Sequence, residues 1–297
     1  MISREALAVK RTLQKETVDP NLTLTEEREQ WEKYAEQVTI AEGISTKPEV
    51  LAGINCLWLY PQGIKTSATI LYAHGGGYTT GSITTHRSFC AELALATNTA
   101  VLLIGYRLLP ESAASAPGDD FISVYSNLAS SAIYKSTPVF FAGDSSGGAL
   151  TIAALTRIRD DGGQLPRGCF VFSGAFDATL SSDSMKRNNQ TDPILSLAVL
   201  QHWQSHFGET FDFSNPLISP LYTNLANLPP TLLIAGEDEV WLDDTKRMHT
   251  ALSAAECHCE MRIYDGMWHV WPMTKDIPET NAAFKQVCDF IAANSAA

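Results

Sequence analysis

Residues 143–147 read Gly-Asp-Ser-Ser-Gly, a match to G-x-S-x-G with Ser145 at its centre. A serine hydroxyl is a weak nucleophile at neutral pH. It needs a base, a group that orients the base, and donors for the negative charge its attack creates. The spacing of the motif has a steric cause. A sharp strand-to-helix turn holds the nucleophile in a strained conformation, and the residues two before and two after must be very small for the backbone to fold so closely. The same turn aims the N–H groups at the start of the following helix toward the reacting carbonyl. The motif alone is weak. Here, however, the apolar run PVFFAG (138–143) leads into it and the helix-forming GALTIAALTRI (148–158) follows.

Donors for the developing charge are offered by His74-Gly75-Gly76-Gly77, directly after the apolar TILYA (69–73). Three consecutive glycines are costly in chain entropy. They make sense where backbone N–H groups must face a ligand. The loop's N–H groups, with that of Ser146, can hold the oxygen that becomes negative as Ser145 attacks, each donor worth ~3–4 kcal/mol in the transition state. His74 itself reads as an anchor of the loop through its ring nitrogens, not as the base.

In a strand-turn-helix hydrolase the order along the chain is Ser, acid, His. Of the seven histidines, His202, His206, His249, His258 and His269 follow Ser145. His269 stands in DGMWHVWP, just after the last apolar run, where a loop can carry an imidazole over a sheet end; it is the base. His202 and His206 are four apart on one helix face and could hold a metal, but polar helix surface or pocket rim is the reading adopted. Cys257-His258-Cys259 is read as extended chain whose side chains alternate in direction. No metal is expected. The acid lies in AGEDEVWLDD (235–244). Asp243 and Asp244 suit a helix N-cap and first turn, and Glu237 also competes. The chemistry, a carboxylate accepting the histidine ring N–H and staying ionised, does not separate Asp238 from Glu239.

These residues must be positioned by a scaffold. GINCLWLYP (53–61), TAVLLIGY (99–106), CFVFSG (169–174), TLLIAG (231–236) and EMRIYDG (260–266) join the two apolar runs above as strands, each ending in a polar or glycine-rich turn. Helix-length stretches at 84–97, 119–134, 146–160 and 241–255 lie between them. That alternation predicts an α/β fold with a mostly parallel central sheet flanked by helices. Ligands then sit beyond the carboxyl ends of the strands, which here read HGGG, GDSSGG, GEDE and DGMWH. Residues 178–228 are too long for one crossover and contain DPILSLAVLQHWQSHFG, a helix of their own. Residues 3–40 read as polar helix broken at 19–21, with TLTEEREQWEKYAEQV opening on an Asn/Thr cap.

The chain has 297 residues, 45% hydrophobic and 18% charged, with a net charge of −12. This is globular composition. The acidic balance argues against nucleic acid or an anionic membrane surface as partner. No run approaches a membrane span, and the charged N-terminus lacks a signal-peptide core. The six scattered cysteines suit reduced thiols. A cytoplasmic protein is expected.

HGGGY (74–78), GSITTHR (81–87), YRLLPE (106–111), GDSSGG (143–148), SGAFD (173–177), NPLISPLY (215–222), GEDEVWLDD and GMWHVWP together resemble the bacterial hormone-sensitive-lipase-like esterases, the family IV lipolytic enzymes. The resemblance implies an α/β-hydrolase core over 46–177 and 229–297, with a helical cap formed by 1–45 and the insertion 178–228. It implies a serine esterase that hydrolyses short-chain carboxylic esters through an acyl-enzyme, without metal or cofactor. Amide, lactone or thioester hydrolysis is the alternative. A non-catalytic receptor on the same scaffold is disfavoured because His269 is present. In such enzymes the acid stands four residues before a further Asp. From Glu239 to Asp243 is 243 − 239 = 4, which makes Glu239 the acid, and Gly76, Gly77 and Ser146 the oxyanion donors. A homodimer through an edge strand near 260–265 is also implied. The chain departs from the pattern at SAASAPGDD (112–120), which replaces a proline-rich stretch, and at Ser146, where Ala is common. Ser146 is expected to keep the backbone donor and add a hydroxyl beside the nucleophile.

Overall fold

Alternate residues of a strand point to opposite faces, so a run that is apolar at every position requires cover on both sides. The computed structural model, which describes residues 1–13, 19, 22–131 and 137–295, supplies that cover. Among the described residues, eight strands form one sheet: β1 (Ile44–Leu51), β2 (Ile54–Pro61), β3 (Thr69–Ala73), β4 (Ala100–Ile104), β5 (Val139–Asp144), β6 (Gly168–Phe172), β7 (Thr231–Gly236) and β8 (Cys259–Tyr264). Their order is β1-β2-β4-β3-β5-β6-β7-β8. The pairs β1–β2 and β2–β4 are antiparallel, and every other neighbour is parallel.

The core splits across the sheet with the expected period of two. Ile70, Leu103, Phe140, Phe170 and Leu232 face one side, where they meet Phe89 of α3 (Ile83–Thr97), Phe284 and Val287 of α9 (Pro278–Asn294) and Ala6 of α1 (Arg4–Leu13). Leu71, Leu102, Phe141, Val171 and Leu233 face the other. There they meet Phe121 of α4 (Ala116–Ser130), Leu150 of α5 (Ser145–Asp160) and Met248 of α8 (Leu242–Ala254). All these strand residues are essentially inaccessible, and each such side chain contributes about 1.5–3 kcal/mol through burial.

β1 was not expected. Its residues ISTKPEVL are mostly exposed, so they lack the apolar signal that marks the central strands. β1 forms a hairpin with β2 across Ala52-Gly53, both with positive φ. The break expected at 19–21 lies, apart from residue 19, outside the described residues, as do positions 132–134 of the expected helix 119–134. α2 (Leu24–Glu36) begins where its cap predicts: Thr23 accepts the Glu26 N–H and the Glu26 carboxylate accepts the Thr23 N–H, a capping box. Within the insertion, α6 (Ser184–Arg187) and α7 (Leu197–Ser205) are both short. α7 starts five residues later than the apolar pattern suggested. The Asp192 carboxylate takes the N–H groups of Ile194 and Leu195 into a turn, and Ser196 then caps the helix. No helix among the described residues is long and apolar enough to cross a membrane.

Candidate active site

At the β5–α5 junction the strand ends at Asp144 and the helix begins at once with Ser145. Ser145 has φ +51°, a left-handed conformation that costs a non-glycine residue roughly 1–2 kcal/mol. The flanking glycines are needed for close approach. A Cβ on Gly143 would stand 2.5 Å from the Gly147 backbone, and one on Gly147 would stand 2.2 Å from the Ala73 carbonyl oxygen. Local sequence therefore forces the conformation, and the conformation lifts the Ser145 side chain above the strand ends.

His269 Nε2 lies 3.0 Å from Ser145 Oγ. Strands β5 and β7 are separated by β6, which puts a group at the end of β7 about 10 Å from one at the end of β5. The imidazole, arriving on the loop after β8, bridges that gap. Its loop is fixed by Met267, Trp268 and Trp271, all buried, and by the Val270 N–H donating to Ser173 Oγ at 3.0 Å. On the far side, Glu239 Oε2 is 3.7 Å from His269 Nδ1, and the Glu239 side chain is fully buried. Nδ1 and both Glu239 carboxylate oxygens lack hydrogen bonds among the described residues. Burial pushes the Glu239 carboxyl above its ordinary value, opposed by the His269 ring and the Ser173 hydroxyl and aided by the charge of Asp192.

The other acids of the segment are committed elsewhere. Asp238 pairs with Lys10 of α1. The Glu237 carboxylate accepts the Gly266 N–H at 3.3 Å. Asp243 pairs with Arg187 at 2.8 Å and accepts the Ser184 N–H. Asp244 accepts the Asp177 N–H at 2.7 Å and the Ser182 hydroxyl. The N-cap position of α8 belongs to Trp241, with Asp243 and Asp244 in the first turn.

Asp244 carries a pH prediction. Burial pushes its carboxyl up to about 7, against the Ser182 hydrogen bond and the charge of Arg247. A carboxyl whose folded value exceeds its unfolded one takes up a proton on folding, so stability falls as pH rises from about 4 through about 7. Asp244→Asn removes that slope. Between about pH 5 and about pH 8 the parent should lose about 3 kcal/mol more stability than the variant, read by urea melts. Equal losses would rule the assignment out.

The HGGG loop follows β3. Gly76 and Gly77 have φ +112° and +62°. A Cβ on Gly76 would fall 2.4 Å from the Thr80 carbonyl oxygen, and one on Gly77 2.3 Å from the Trp203 indole nitrogen. The Gly76 carbonyl turns inward to accept the Thr80 N–H at 2.8 Å. Neither the Gly76 nor the Gly77 N–H donates to a described residue, and the Ser146 N–H stands in the first turn of α5, where a helix offers no acceptor. His74 anchors the loop as expected. Its Nδ1 is 2.8 Å from the Gly75 carbonyl, its ring stacks on Tyr106 at 4.1 Å, and burial lowers its pKa to about 3, which keeps it neutral.

Ser146 does more than its N–H. Its Oγ accepts the Tyr78 N–H at 3.2 Å, fastening the glycine loop to the elbow. Beneath it, Asp144 accepts the Tyr72 hydroxyl at 2.8 Å and the Gly75 N–H at 3.0 Å, with His86 Nε2 3.4 Å away. Burial works against that carboxylate, but His86 and the Tyr72 hydroxyl outweigh it and hold its pKa low. The acid loop is also held from outside the core. Asn188 donates to the carbonyls of Glu237 and Glu239, each at 2.8 Å, and Asp192 accepts the Val240 N–H at 3.1 Å. Trp203 of α7 donates to the Gly77 carbonyl at 2.7 Å. Asp144 sits inside a motif and could be suspected from it. Asn188 and Asp192 act across some fifty residues of chain, and nothing in their local pattern marks them.

Residues 70–273 match a family described as having the alpha/beta hydrolase fold. An esterase of Acinetobacter venetianus is 31% identical over 249 residues, which cover 83% of this chain and 82% of the relative. A crystal structure of an esterase from the bacterial hormone-sensitive lipase family superposes with TM-score 0.92 at 29% identity, covering 100% of both chains. The structure of EstE5 soaked with p-nitrophenyl butyrate gives TM-score 0.91 at 32% identity, covering 99% of this chain and 100% of that one. With its elbow serine, glycine loop and doubly covered sheet, the chain belongs to the α/β-hydrolase family, among the esterases of the bacterial hormone-sensitive-lipase type.

Proposed function

We propose that Ser145, His269 and Glu239 are the catalytic triad of a carboxylic ester hydrolase that prefers short acyl chains. The observation that carries this is the 3.0 Å approach of His269 Nε2 to a serine oxygen held at positive φ. The activity is hydrolysis of carboxylic esters by a serine nucleophile, and the substrate is a small ester. Ser145 Oγ attacks the carbonyl carbon while His269 Nε2 takes its proton. The carbonyl oxygen, now negative, is received by the N–H groups of Gly76, Gly77 and Ser146. Glu239 stabilises the imidazolium. His269 then returns the proton to the leaving alkoxide, and the alcohol departs. Water attacks the acyl-serine by the same route, releasing the acid and restoring Ser145.

The short-chain preference is supported by what flanks the glycine loop. Trp203, Phe207, Phe211 and Phe213 form one aromatic cluster, with neighbouring ring centroids 4.5–5.8 Å apart. The indole of Trp203 is bonded directly to the loop. The relative EstE5 was soaked with a butyrate ester. We further assign 1–45 and 178–228 to a cap over the core 46–177 and 229–297. Contacts between the two segments support this: Glu27 of α2 lies 2.9 Å from His202 of α7.

p-Nitrophenyl acetate, butyrate and decanoate test the reading. kcat/KM should fall at least about tenfold from butyrate to decanoate, since a poorly fitting methylene is worth about 1–3 kcal/mol in a shaped pocket. A flat or rising series would reject the short-chain preference. No hydrolysis of any of the three would reject the esterase.

A further inference from the structure

The cap carries a cluster that ester hydrolysis does not use. Glu27 lies in the first turn of α2, in a register set by the Thr23 capping box. His202 and His206, four residues apart on α7, face it from a segment some 175 residues away. His202 Nε2 is 2.9 Å from Glu27 Oε1, and His206 Nε2 is 3.4 Å from Glu27 Oε2. Ligand atoms of all three residues lie within 4.8 Å of one another. His206 Nε2 is buried, yet no hydrogen bond satisfies it among the described residues.

We propose that Glu27, His202 and His206 form a binding site for a divalent transition cation of the zinc class. The fit is geometric. Bonds of about 2.0–2.1 Å in a tetrahedral centre place ligand atoms about 3.3–3.4 Å apart. The two Glu–His separations, 2.9 and 3.4 Å, run to different oxygens of the one carboxylate, and with all ligand atoms within 4.8 Å of one another, side-chain rotation brings both nitrogens and one carboxylate oxygen to that spacing. Two imidazoles and one carboxylate are the donor set that zinc takes, leaving the fourth position to water. Magnesium and calcium prefer all-oxygen shells and are discriminated against. The side chains are 12–18% exposed, open enough for an ion to enter and sheltered enough to hold it. The chain's net charge of −12 favours cation approach.

The ion would staple the two halves of the cap beside the active site. Arg28, next to Glu27, donates to the carbonyls of Thr79 and Leu109 at 2.6 and 2.9 Å. Trp203, next to His202, donates to the Gly77 carbonyl. Both neighbours of the site thus grip the segment that bears the oxyanion donors. The inference does not depend on the esterase reading.

The test uses the full chain without an affinity tag, treated with chelator and titrated with ZnCl2 by calorimetry and by thermal unfolding. One equivalent should bind and raise the melting temperature. Glu27→Gln and the double variant His202→Asn/His206→Asn should each weaken binding at least tenfold (~10-fold is the loss when even an outer-shell partner of a metal is removed). His258→Asn should change nothing. Absence of stoichiometric binding, or equal affinity in parent and variants, overturns the proposal. Should the double variant not fold, Co2+ bound to the parent decides. Visible d–d bands alone support the site, whereas an added near-ultraviolet thiolate band places the ion at cysteine and overturns it.

Discussion

Replacing Ser145 with alanine is expected to lower kcat by about 10⁵–10⁶-fold, the loss that follows removal of the nucleophile in serine hydrolases, while leaving the fold intact. The backbone conformation at this position is imposed by Gly143, Gly147 and the strand ends they touch. Alanine suffers the same left-handed cost as serine, so stability should change little. The neighbouring hydroxyl cannot take over. Ser146 is 3% exposed and its Oγ is engaged by the Tyr78 N–H, whereas Ser145 Oγ is the one facing the imidazole. A p-nitrophenyl butyrate assay measures the loss, and circular dichroism checks the fold. A serine-directed phosphonate should label the parent once, at Ser145 by mass spectrometry, and leave the variant unlabelled. A surviving acyl burst would place the nucleophile elsewhere. Ser146→Ala is the contrast. It leaves Ser145, His269 and Glu239 in place and removes a hydroxyl that accepts the Tyr78 N–H and also interacts with the Tyr106 hydroxyl, a loss of about 1–3 kcal/mol.

The contrast between the two serines marks where local pattern stops being informative. G-x-S-x-G distinguishes Ser145 from Ser146 because the turn's sterics are local: each glycine is required by a backbone contact within the motif or with the adjacent strand. The central strands were legible for a similar reason, as burial on both faces leaves an unbroken apolar run. β1 was not, because an exposed outer hairpin strand containing Pro48 has nothing to bury. The insertion was legible as an insertion, through its length, but not in what it does. Asn188 and Asp192 hold the loop of Glu239 through backbone groups, and an Asn or Asp that serves a distant backbone looks like any other polar residue. Glu27 likewise reads as an ordinary acid near a helix start until α7 is brought against it. The choice between Asp238 and Glu239 falls in the same class. Adjacent residues in a loop differ only in direction, and direction is set by what each can reach.

That choice yields the second large effect. Glu239→Gln should reduce kcat by about 10³–10⁴-fold, with KM little changed, by the logic of the carboxylate that fixes the histidine tautomer. In the triad proposed above, His269 must keep its Nε2 lone pair toward Ser145, which requires the proton on Nδ1 and an acceptor facing it. A glutamine can present its amide N–H₂ instead, and then stabilises the tautomer with the proton on Nε2, where it blocks the base. The 3.7 Å between Nδ1 and Glu239 Oε2 is longer than a hydrogen bond. Closing it by about an ångström satisfies a buried N–H and a buried carboxylate together, and the drive to close grows as His269 acquires positive charge, so the contact tightens in the transition state. Asp238→Asn should behave oppositely. Its carboxylate belongs to Lys10, whose ammonium also donates to the Gly266 carbonyl at 3.0 Å. Removing it should leave kcat within a few-fold of the parent and cost roughly 1.5–3 kcal/mol of stability, the range for a hydrogen bond to a charged group. Steady-state kinetics and urea melts on the two variants separate the roles. If Asp238→Asn loses turnover and Glu239→Gln retains it, Glu239 is not the acid, and Asp238 has to turn away from α1 to reach the imidazole.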